Sequence, residues 1–133
     1  MDLLLRATGH DARDSAQPWA EIEAELGTEL PRDSEELCQA FGVGEFSRVV
    51  SVLCTDETRV VDLLRMWRVL LDHDAPSDGP VDAWPVLAKM EAAKEWDRYE
   101  MSATEFLYRI LTGPGFRPYT AADAVPEPIF EPV

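Results

Sequence analysis

Between Trp19 and Phe46 the residues that shape backbone fall at fixed points: Pro18 just before the stretch, then Gly27, Pro31, Gly42 and Gly44. They leave room for two short helices and the entry to a strand. Trp19, Ile22 and Leu26 recur at i, i+3 and i+7, so one helical face is apolar while Glu21 and Glu25 turn to water. Pro18 suits a first helical turn and Gly27 the left-handed stop after it. Leu30-Pro31 imposes an extended step, because a residue preceding proline avoids helical torsions, and Asp33 can accept hydrogen bonds from the open amides of a following helix. That helix is expected over Ser34–Phe41, ended by Gly42 and Gly44. Phe46-Ser-Arg-Val-Val-Ser-Val-Leu53 then reads as a strand rich in β-branched residues. No obvious catalytic side chain lies in this stretch, which points to architecture for binding.

The flanking segments complete an α+β pattern. A short first helix is joined to the Trp19 helix by a loop over 7–17. Val60, Leu63, Leu64, Trp67, Leu70 and Leu71 form the strongest helical period, with Arg59, Asp62, Arg65 and Arg68 on or near the other face. Such a helix is either buried on two sides or offers a strip to another copy, so monomer and homodimer both stay open. A turn-rich connection follows from Asp72 to Asp82. Trp84–Met90 resembles a strand with Pro85 at its start or edge, and Trp96–Met101 alternates apolar and polar as a half-exposed strand does. Ser102 with Glu105 makes a capping box, Phe106, Leu107, Ile110 and Leu111 give the next helix its buried face, and Gly113-Pro114 stops it. The tail over 116–133 is too proline-rich for regular structure, with Tyr119, Ile129 and Phe130 as its anchor points. The expected fold is one domain over 1–133: a small, mainly antiparallel sheet from the strands near Phe46–Leu53, Pro85–Met90 and Trp96–Tyr99, with helices largely on one side.

The order Trp19, Ile22-Glu23, Leu26-Gly27-Thr28, Leu30-Pro31, Asp33, Phe41-Gly42-Val43-Gly44 and Phe46 resembles the entry segment of the SMI1/KNR4, or SUKH, superfamily. Asp78-Gly79-Pro80-Val81-Asp82-Ala83-Trp84-Pro85-Val86 and Met101–Leu111 resemble that family's later strand and closing helix. The resemblance implies an immunity protein that binds and occludes a cognate polymorphic toxin, often a nuclease or deaminase. Its alternative implication, taken from fungal relatives, is a regulatory or scaffolding module that binds a host protein. It also implies a structural role for Glu23, whose carboxylate, at the edge of the apolar helix face, would clamp open amides in the Gly42–Gly44 loop. The chain departs from the family where further strands around a Gly- and Trp-containing hairpin would stand, so a reduced sheet is expected. Ser34 replaces an aromatic after the aspartate at the second helix start.

Charge narrows the partner. A net charge of −14 disfavours nucleic acid and anionic membrane as direct ligands, since both need Lys and Arg to displace counterions. It favours a basic protein partner. Glu35, Glu36, Asp56, Glu57, Asp72, Asp74, Asp78 and Asp82 are the candidate contact residues, several of them in expected loops. Cys38 and Cys54 sit in apolar patterns and fit a reducing cytoplasm. The first residues lack a signal-peptide pattern, and no run reaches the roughly 20 apolar residues needed to span a bilayer. Asp72-His73-Asp74 is a solvated turn rather than a metal site, because adjacent side chains diverge and about three converging ligands are needed. No nucleophile with an activating base is spaced for catalysis, so no enzyme activity, metal or cofactor is expected.

Overall fold

The computed structural model describes residues 1–13, 17–48, 50–52, 80–88, 95, 97–113, 115–116 and 127–132. The periodic segment Val60–Leu71 and the acids Asp56, Glu57, Asp72, Asp74 and Asp78 lie outside them, as do Tyr119 and residues 91–94. Within them the chain is a small α+β fold. Four helices, α1 (Asp2–Thr8), α2 (Trp19–Leu26), α3 (Arg32–Phe41) and α4 (Ala103–Thr112), accompany five short strands, β1 (Gly44–Phe46), β2 (Val50–Val52), β3 (Val86–Ala88), β4 (Asp97–Tyr99) and β5 (Phe130–Pro132).

Helix α2 runs between its two punctuating residues. Pro18 occupies the N-cap, and Gly27 takes φ 75° and ψ 14° while its N–H donates to the Glu23 carbonyl, closing the last turn in the left-handed geometry that glycine adopts without steric cost. Ile22 is buried, and Trp19 packs partly against the main core. Helix α3 begins at Arg32 rather than Ser34. Pro31 is its N-cap, and the Pro31 carbonyl accepts from the N–H groups of Ser34 and Glu35. Asp33 therefore lies inside the first turn of α3 and caps a different helix: its Oδ2 accepts from the Thr104 N–H of α4 at 2.8 Å. Ser102 Oγ accepts from Glu105 N–H at 3.2 Å, forming half of the expected capping box, while the Glu105 carboxylate pairs with Arg109 one turn on instead of reaching back. Two of the four open amides of α4 are thus satisfied by side chains, one of them 71 residues away. Thr104 is buried, so Asp33→Ala should strand that amide and cost about 1–2 kcal/mol in urea unfolding, with Asp33→Asn recovering most of it.

The sheet differs from expectation in three ways. The stretch read as a single strand over Phe46–Leu53 instead contains a reversal: Ser47 and Arg48 adopt φ 48° and 58°, and β1 pairs antiparallel with β2 through Phe46↔Val50 and Glu45↔Ser51. β-branched residues favour extended backbone, but two successive left-handed residues override that preference locally. The tail contributes a strand: β5 pairs antiparallel with the other edge of β1, Phe46↔Phe130 and Glu45↔Glu131, giving the order β2-β1-β5. Lastly, among the described residues β3 and β4 pair only with each other, Val86↔Tyr99 and Leu87↔Arg98, as a separate ribbon.

The core explains the layering. Phe46 and Phe130, opposite each other in the ladder, turn to one sheet face and meet Leu4 of α1, Leu37, Cys38, Ala40 and Phe41 of α3, and Leu107 and Leu111 of α4. Glu45 and Glu131, one position along, belong to the opposite face. The helices that supply the main core therefore lie on one side of the three-stranded sheet. Helix α4 joins the two halves: its Leu107–Leu111 edge enters this core, while Phe106 and Ile110 pack with Val86, Tyr99, Met101 and Phe116 against the β3–β4 ribbon.

Candidate functional site

The α2–α3 corner gathers charge that sequence spacing separates. Glu23, on the last turn of α2, directs Oε1 at the Leu30 N–H and accepts from it at 2.8 Å. It is a clamp, but on the bend between helices rather than on the Gly42–Gly44 loop. Pro31 fixes the direction into α3, and the Arg32 N–H donates to Asp82 Oδ1 at 3.0 Å, tying the corner to the 3-10 turn Val81–Ala83. Glu35 follows one helical step later, on the same side. Loss of hydration is the first cause that raises the Glu35 carboxyl above the ordinary glutamate range; the charges of Glu23, Asp82 and Glu29 raise it further, and Arg32 alone opposes them. Three acidic neighbours thus act on Glu35 against a single cation. A carboxylate whose proton affinity is raised by its neighbours costs stability at neutral pH, and that cost disappears as pH falls through its folded pKa toward the unfolded value.

The proposed contact acids do not all converge. Glu35 and Asp82 belong to this corner, with Glu23 and Glu29, which the sequence reading did not assign to it. Glu36 is one residue on and therefore about 100° around the helix. It lines a different feature, an open groove of about 480 Å³ between α1 and α3 bounded by Met1, Leu5, Ala12, Arg13, Gln39 and Ala40. Asp56, Glu57, Asp72, Asp74 and Asp78 fall outside the described residues. The backbone-shaping residues occupy structural positions: Gly42 follows α3 and bonds back to the Cys38 carbonyl, Gly44 and Phe46 are buried in β1, and Trp84 is half-buried directly after the 3-10 turn. Nothing in sequence spacing links Glu23, Glu29 and Glu35 to Asp82, because the last belongs to a distant loop.

His10 has no structural role in the sequence reading, yet its ring joins the main core's aromatic group. Its ring stacks on Phe41 with centroids 5.0 Å apart and meets Phe130 edge-on at 4.8 Å. Nε2 is buried without a hydrogen-bond partner. Burial, then the charge of Arg13, holds His10 below the usual histidine range, with Asp11 opposing. The folded state therefore favours neutral imidazole. The stability this contributes is present above the unfolded pKa and is lost as pH falls below about 6.5 toward the lower folded value. Thermal melts of the wild type and His10→Phe between pH 7.5 and pH 5 check this: the wild type should lose more stability over that interval than the variant.

Among the described residues no group of three His, Cys, Asp or Glu side chains is arranged to hold a metal, and no helix is long and apolar enough to cross a membrane. Cys38, on α3, is buried in the main core. No protein family, curated protein or solved structure matches the chain.

Proposed function

We propose that this chain is a toxin-neutralising immunity protein of the SMI1/KNR4 type, acting in the cytoplasm by binding a cognate basic toxin domain and occluding its active cleft. The observation that carries the reading is the α2–α3 corner, where the charges of Glu23, Asp82 and Glu29 all bear on Glu35 and Arg32 alone opposes them, on a chain of net charge −14. Crowded carboxylates repel one another and hold a negative potential; a partner's Arg or Lys side chain relieves that repulsion while satisfying itself. Such a field steers encounter and raises association rates by about 10- to 1000-fold at low salt. The corner is also stiff. Gly27, the Glu23–Leu30 bond, Pro31 and the Arg32–Asp82 bond set its path, so little order has to be gained on binding. Occlusion requires no turnover, only a surface whose charge complements the partner's.

Co-expression with candidate toxin domains encoded beside this gene tests the reading: rescue of growth is expected for the cognate toxin. With that toxin in hand, the association rate should fall by at least about tenfold between low salt and 0.5 M, with a smaller change in dissociation. A Glu29→Lys and Glu35→Lys double variant should lower the association rate at low salt while leaving the helical signal unchanged. Failure of every neighbouring toxin domain to bind would refute the immunity role, and binding indifferent to salt would refute the electrostatic half of the mechanism.

A further inference from the structure

Strand β5 fills a slot that β1, α3 and the α1–α2 connection build around it. Phe130 is the one large side chain it buries, held among His10, Phe41 and Phe46 with ring centroids 4.8–4.9 Å apart. Its neighbour Ile129 is 40% exposed, so this side chain adds little to the attachment. The slot also has a polar end. Ser47 N–H donates to the Ile129 carbonyl at 2.9 Å, Ser47 Oγ donates to the Glu127 carbonyl at 2.6 Å and accepts from Ile129 N–H, and Arg48 faces Glu131 through Nε and Nη2 at 3.0 and 3.4 Å. These contacts bear on the two residues with left-handed torsions, Ser47 and Arg48. Non-glycine residues in that region persist where surrounding contacts over-determine them. The turn is therefore shaped to the segment that docks on it: an aromatic pocket under an open strand edge, with a cation placed for an acid immediately after the aromatic residue.

We propose that this slot is a strand-addition site for extended segments bearing an aromatic residue followed by a carboxylate, and that residues 127–132 occupy it as an intramolecular strap. Main-chain pairing to β1 supplies the attachment, the His10–Phe41–Phe46 pocket selects the aromatic side chain, and Arg48 selects the acid after it. The strap opens as a unit while α3 and α4 stay folded, because among the described residues it is held by one ring, one strand edge, the Ser47 hydroxyl and one exposed ion pair. A segment of the same pattern from another chain competes with it, and its apparent affinity is reduced by the fraction of molecules in which the strap is open.

The test uses the full chain with Phe130→Ala and a labelled peptide spanning residues 126–133. Fluorescence anisotropy should show the peptide binding the variant at least about tenfold more tightly than the wild type, whose own strap competes. A peptide carrying Phe130→Ala should not bind, and one carrying Glu131→Gln should bind more weakly. Absence of peptide binding by a folded variant would overturn the proposal. Native-state hydrogen exchange on the unaltered chain decides independently, and holds even if the variant fails to fold: the amides of Ser47 and Ile129 should exchange at least about tenfold faster than those closing α3 and α4. Exchange of all of them together, only through global unfolding, would equally overturn it.

Discussion

Phe41→Ala is expected to destabilise the domain by about 3–5 kcal/mol, the range for deleting a fully buried aromatic ring. Phe41 is 0% exposed, lies on the final turn of α3, and touches three other rings: it stacks on His10 and meets Phe46 and Phe130 edge-on at centroid distances of 4.9 Å. Removing it leaves a void whose lining comes from the connection after α1, from β1 and from β5. None of these can close inward without breaking a ladder or the Arg13–Ala40 backbone bond that pins the connection to α3. Against a typical total of about 5–15 kcal/mol for a domain, such a loss takes a large fraction of the folding free energy. Urea unfolding should report it as a lower midpoint. Phe41→Leu, which refills much of the volume, should cost only about 1.5 kcal/mol or somewhat more. Leu3→Ala, at a residue 59% exposed, should fall within about 0.5 kcal/mol of wild type. A small effect of Phe41→Ala would mean that the aromatic group is not the centre of the core.

The elements that could be read from sequence are those whose determinants are local. Helix α2 sits between Pro18 and Gly27 because both residues act through backbone torsions, and α4 begins at Ser102 because the hydroxyl and the amide it accepts from are three residues apart. The apolar spacing of Phe106, Leu107, Ile110 and Leu111 was legible for the same reason. What it could not show is that the helix would divide those residues between two clusters. The β1–β2 turn was invisible because Ser47 and Arg48 are not the Gly, Asn or Asp that mark left-handed turns; they are held there by β5, some 80 positions away. Strand β5 was hidden in turn by Pro132 within it and Pro128 just before it, residues that argue against a central strand but are tolerated at an edge. The acidic corner followed the same rule. Glu35 and Glu36 are adjacent in sequence and were grouped, yet helical rotation sends them to different features, while Asp82 reaches the corner only through the tertiary bond to Arg32. Asp33 kept its chemistry, an acceptor for open helix amides, and changed its client: at the second residue of α3 it reaches the start of α4.

Gly44→Ala should destabilise by about 3 kcal/mol, at the upper end for overpacking, and the reason is contact rather than torsion. A Cβ at Gly44 would press into the Phe130 ring and lie 2.6 Å from the Glu131 carbonyl oxygen. The ring can rotate or retreat. The carbonyl cannot do so freely, because it belongs to the strand paired with β1, where Gly44 stands opposite Pro132. The methyl group therefore has to push β5 outward, which unroofs Phe46 and removes the contacts that hold Ser47 and Arg48 in left-handed torsions. A double-mutant cycle with Phe130→Ala separates the two collisions. If the ring is the main obstacle, the cost of Gly44→Ala should shrink by at least about 1 kcal/mol once Phe130 is truncated, a coupling well outside the error for independent sites. If the carbonyl dominates, the two costs should add, and β5 would then be kept in register by backbone proximity at Gly44 rather than by the fit of one aromatic side chain. Equilibrium unfolding of the four chains at pH 7.5, where His10 is neutral in both folded and unfolded states, measures the difference without a contribution from its titration.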